Sequence, residues 1–108
     1  MNAQMGSALP IEKLDRQNYA SWEYEMPQYL VGQGYWSCIE GAQETTPDIT
    51  SPNYPTWQQG ASRVMYCLAT CVQDHMLSYI RDAKAPTEAW KNLKKIFAAS
   101  TTARKLQL

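Results

Sequence analysis

The sequence predicts an all-α fold, a single compact domain of five or six helices. Three observations carry this. Apolar residues recur at three- and four-residue spacing in successive segments. No segment alternates with period two for long, and no Asn-Gly hairpin signal occurs. Prolines and glycines stand where helices would begin and end.

Taken in order, residues 1–12 read as a flexible N-terminal arm, polar and non-periodic, with Leu9 and Ile11 close enough to touch the body. Residues 13–108 form the helical domain. Tyr19, Trp22, Met26, Tyr29 and Leu30 fall on one helical stripe, with Asn18 as N-cap and Gly32 or Gly34 as stop. Pro27 interrupts that helix by removing a hydrogen bond and crowding the Glu23 carbonyl, at a cost of about 3 kcal/mol. The spacing therefore predicts a kink near Glu23–Met26, or a break into two pieces. Tyr35, Trp36 and Ile39 suggest one or two further turns closed by Gly41, and residues 42–53 read as a long loop.

Pro55 opens the strongest helix, capped by Asn53 or Tyr54. Its stripe is Trp57, Ala61, Val64, Met65, Leu68, Cys71 and Val72. A short helix from Asp74 carries Met76, Leu77 and Ile80. Pro86 begins the next, with Ala89, Trp90, Leu93, Ile96 and Phe97 on its apolar face and Lys91, Lys94 and Lys95 towards the other side. Ser100, Thr101 or Thr102 then caps a final segment with no stop signal, which predicts that the domain continues beyond residue 108.

Composition narrows the function. Formal net charge is zero, against an electrostatically driven nucleic-acid binder. No apolar run approaches the roughly 20 residues of a membrane span, and the N-terminus lacks a signal-peptide pattern, so a cytoplasmic location without membrane association is expected. Three cysteines, an odd and low number, suit reduced thiols. Cys67, Cys71 and His75 stand at i, i+4 and i+8, but i and i+8 are about 12 Å apart on a helix. They cannot share one zinc, so small core-facing thiols with a boundary histidine are the better reading.

The parts of an enzyme are missing. His75 is the only histidine, and its sequence neighbour Asp74 does not face it on a helix. No nucleophile elbow, phosphate-binding glycine loop or zinc-helix motif is present. No catalytic, cofactor-binding or metal-ligating residue is therefore assigned, and no cofactor is expected.

Charge position says more than charge total. Up to Ile80 there are three basic and eight acidic residues; from Arg81 onward there are seven basic and two acidic. Such a molecule either solvates both faces or associates head to tail, acidic face on basic face. Weak RNA contact through the last helix is a third reading, but the aromatics cluster in the acidic half, unlike a stacking platform for single strands. Trp22, Trp57 and Trp90 each lie on an apolar stripe and read as core.

The segment LDRQNYASWEYEMPQYLVGQGYWSCIEG resembles the L-x-x-x-N-Y-x-x-W-x-x-x-M-x-x-Y-L opening of copia-type LTR-retrotransposon Gag proteins. IRDAKAPTEAWKNLKKIFAASTTARKLQL is similar to the block that follows in the same polyproteins, with its A-W-x-x-L-x-x-x-F/Y helix. The resemblance spans about residues 12–108, and Pro27 departs from what it leads one to expect in the first helix. It implies a capsid-like N-terminal Gag domain that self-associates, weakly in isolation, to help form virus-like particles enclosing RNA. The family's C-x2-C-x4-H-x4-C zinc knuckle has no counterpart here, so RNA contact is expected to be indirect or weak. A domesticated Gag-like module gripping another protein is the alternative.

The expected core is Tyr19, Trp22, Tyr29, Leu30, Ile39, Trp57, Val64, Leu68, Leu77, Ile80, Trp90, Leu93 and Phe97. The candidate assembly surface is Pro27, Tyr35, Trp36, Lys91, Lys94 and Lys95, with the 41–53 loop.

Overall fold

A computed structural model describes residues 11–106, with side chains through residue 98. The described residues form four α-helices: α1 (Tyr19–Gln33), α2 (Tyr54–Thr70), α3 (Leu77–Arg81) and α4 (Pro86–Leu106). Two single 3₁₀ turns, Trp36–Cys38 and Asp74–Met76, lead out of α1 and into α3. Five or six helices are expected; the described residues hold these four α-helices and two 3₁₀ turns, and α4 runs unbroken through residues 100–102, where a further start is expected. No glycine or proline stands near those residues to end the ladder, and the backbone stays helical through them.

Pro27 does not break α1, which is continuous from Tyr19 to Gln33. Trp22, Met26 and Leu30 are buried on either side of the proline, and their packing outweighs one lost ladder bond. The stop is Gly34, at φ +81°, where its amide reaches the Val31 carbonyl at 3.0 Å and the Tyr35 amide reaches Leu30 at 2.8 Å. Asn18 does not cap α1 with its side chain. It turns backward instead: Asn18 Oδ1 accepts from the Asp15 amide and Nδ2 donates to the Lys13 carbonyl, bracing the turn before the helix.

The second helix ends at Thr70, earlier than its stripe suggests. Beyond it, Leu14 and Val72 form an isolated parallel bridge. The Leu14 amide donates to the Cys71 carbonyl at 2.7 Å, and the buried Trp22 indole N–H donates to the same oxygen at 2.9 Å. One carbonyl at the end of α2, which has no helical partner, thus anchors both the N-terminal segment and α1.

The core gathers Leu14, Trp22, Met26, Leu30, Ile39, Val64, Leu68, Ile80, Trp90, Leu93 and Phe97 with smaller neighbours. Ile11, at the end of the expected arm, packs against it, whereas residues 1–10 lie outside the described residues. The α1–α4 seam is aromatic. Tyr19 stacks on Phe97 with ring centroids 4.4 Å apart, Trp22 on Trp90 at 5.4 Å, and Trp36 meets Trp90 edge-on at 5.3 Å. Helix α3 packs on α4 and on α2, closing the far side.

Candidate interaction site

Three surfaces remain once the core is assigned. The first is a groove with a cavity volume of about 570 Å³ between the exit of α1, the 42–47 stretch of the loop and the first half of α2. Tyr35, Cys38, Gln43, Pro47, Thr56 and Trp57 are among its walls, and no charged side chain lines it. The loop is held by short polar contacts. The Trp57 indole N–H donates to the Gln43 carbonyl at 2.9 Å, and the Ser37 hydroxyl donates to Gln43 Oε1. The Asp48 carboxylate accepts from the Thr50 side chain and amide, which lowers its pKa. Gly41, at φ +150°, has its Cβ position 3.1 Å from Ser37 Cα, so a side chain there would be strained and crowded.

Trp57 corrects the expected core set. It is half-buried and outside the core cluster, because the first turns of α2 face this loop rather than a second helix. Tyr54 is its ring neighbour, at 5.9 Å. Tyr19, Tyr29 and Leu77 are half-buried at the edge of the core, and burial followed by the Glu23 carboxylate pushes the Tyr19 hydroxyl's pKa up. The other expected core residues, Trp22, Leu30, Ile39, Val64, Leu68, Ile80, Trp90, Leu93 and Phe97, are buried.

The second surface is the outward side of α1. Ala20, Tyr24, Pro27 and Val31 recur at i, i+4, i+7 and i+11, opposite the buried stripe. Tyr24 is 69% and Val31 57% exposed. Half-buried Glu23 borders this stripe, exposed Glu25 lies about 100° further round the helix from Tyr24, and α1 contains no basic residue. Sequence reasoning singled out only Pro27 here. The second stripe has the same spacing as the first and was legible, but it reads as background once one face is given to the core.

The third surface is the outward side of α4, where Lys91, Lys94 and Lys95 are all exposed. No ion pair joins these lysines to a carboxylate among the described residues. Tyr35 and Trp36, placed with them as assembly candidates, are instead half-buried against the core. Trp36 sits edge-on to Trp90, and Arg63 lies over the Tyr35 ring at 5.9 Å.

The thiols are unpaired and face inward: Cys38 and Cys71 are buried and Cys67 half-buried. The neighbouring Cys67 thiol, with Thr70 and nearby Lys13, favours the Cys71 thiolate and lowers its pKa against the effect of burial. The proximity of Cys71, together with burial, pushes Cys67 up. Met26 Sδ is 3.8 Å from Cys67 Sγ, so α1 caps this pair. His75 is exposed in the turn before α3, and no three His, Cys, Asp or Glu side chains among the described residues form a metal-holding group.

Among known families, the model described as the gag-polypeptide of LTR copia-type matches residues 26–108. The match begins inside α1, so the first part of the opening segment, residues 14–25, lies before it and the rest within it. No curated protein and no solved structure matches the chain.

Proposed function

From the premise that this chain belongs to the gag-polypeptide family of LTR copia-type elements, we propose that it is a structural, capsid-like domain that self-associates to help build virus-like particles. The observation that carries this reading is the division of charge. The chain is net minus five up to Ile80 and net plus five from Arg81 onward, and the opposite charges form no ion pairs within the described molecule. A surface whose charges are unmatched internally is suited to matching them between molecules. Each such contact is weak, and many arranged together become strong. The role is that of a building block rather than a catalyst, and cytoplasmic assembly fits a chain in which no described helix is long and apolar enough to cross a membrane.

Sedimentation of the chain across protein concentration, at low and high salt, tests the proposal. Reversible growth in mass that salt suppresses is the expected result. A monomer at every concentration and salt would overturn it. The groove beside Trp57 favours one second reading, a domesticated module that takes an uncharged peptide between Tyr35 and Trp57. That reading expects a stoichiometric heteromeric partner with no self-association.

A further inference from the structure

We infer that the outward stripe of α1 in one copy docks on the lysine face of α4 in a second copy. This rests on the self-association reading and names its two surfaces. Exposed apolar residues are ordinary when scattered. Here exposed Ala20, Tyr24 and Val31 line up with half-buried Pro27 over three turns of one helix, as a docking face does.

The occupant is chosen by charge. Helix α1 carries Glu23 and Glu25 and no cation, whereas the outward side of α4 carries three lysines and one acid, Glu88. Pairing α1 with α1 sets carboxylates against carboxylates, and pairing α4 with α4 sets ammonium groups against each other. Only the α1–α4 pairing matches. Lysine suits the task twice over. Its methylene stem covers apolar surface such as Tyr24 and Val31, while its ammonium reaches a carboxylate at the edge. Glu23 already accepts from the Tyr19 hydroxyl at 3.2 Å, so Glu25 is the freer partner. The contact is heterologous: each copy offers one α1 face and one α4 face, so association continues from copy to copy instead of stopping at a pair.

The test uses the full chain in sedimentation equilibrium at low salt, with circular dichroism to show that each variant is folded. All altered residues are exposed. The double variant Tyr24→Asp with Val31→Asp is expected to raise the self-dissociation constant at least tenfold. Glu25→Lys alone, and Lys91→Glu with Lys95→Glu, are each expected to raise it severalfold. An equimolar mixture of these last two variants is expected to recover association, since each supplies the charge the other now needs. A generally damaged fold would not be rescued by mixing. If the unaltered chain associates but all variants match it, the docking assignment is overturned and self-association stands. If the charge variants weaken association and the mixture does not recover, the α1–α4 pairing is overturned. A monomeric unaltered chain overturns both this inference and the reading beneath it.

Discussion

Trp22 and Trp57 make the same local contact in two different places. Each lies on the apolar stripe of its helix, and each donates its indole N–H to a backbone carbonyl at 2.9 Å. Yet Trp22 is 1% exposed and stacked on Trp90, while Trp57 stands half-open beside a loop. Around Trp22 an N-terminal segment, two helices and the end of a third converge. Around Trp57 a helix meets irregular chain whose Ile49 is 74% exposed. What separates the regions is the element that lies opposite, which a stripe on one helix does not specify.

The contrast can be broken most forcefully at Trp22. Replacing it with Ala removes a packed ring and a hydrogen bond together, and is expected to cost about 4 kcal/mol in urea denaturation. A loss under about 1 kcal/mol would mean that the aromatic seam is not the centre of stability. Trp22→Phe keeps most of the ring, and the Leu14 amide still serves the Cys71 carbonyl, so a loss of about 1 to 1.5 kcal/mol is expected. At the other site, Trp57→Ala should lower global stability by about 1 kcal/mol or less. It should also speed proteolytic cleavage within residues 41–53 well beyond what that loss explains. If Trp57→Ala proves as damaging as Trp22→Ala, the two regions are one cooperative core. The smallest effect is expected at Gly60, where a Cβ would rest 3.6 Å from Cys38 Sγ and 3.8 Å from the Tyr35 ring, ordinary contact distances. Gly60→Ala should therefore raise stability by roughly 0.5 to 1 kcal/mol through helix propensity, read as a higher denaturation midpoint.

The same distinction explains what was legible in the sequence. Long stripes with a helix opposite them, such as those of Trp22 and Trp90, were readable from spacing. Trp57 was not, because the spacing is the same and only the tertiary partner differs. By residue type Asn18 suits a cap, but its side-chain amide takes its partners in the preceding turn. Pro27 reads in the sequence as a kink or a break, because its local cost is visible there and the burial that offsets it is not. Trp36 stood beside glycines and looked like surface, and its contact with Trp90 joins residues 54 positions apart. Of the interaction surfaces, the lysine face of α4 was visible as charge. The groove depended on where the loop folded back.

The Cys71 carbonyl, which accepts from both Trp22 and Leu14, also bears on how the chain tolerates insertions. The Trp22–Cys71 bond joins positions 49 apart, and the whole 41–53 loop lies inside the ring it closes. The entropy of closing a ring grows only with the logarithm of its length, about 0.6 kcal/mol for each doubling. Ten extra residues in that loop would therefore add only a few tenths of a kcal/mol to the closure term. The junction at residue 71 leaves the loop free to lengthen or change its residues while the helices around it keep their places.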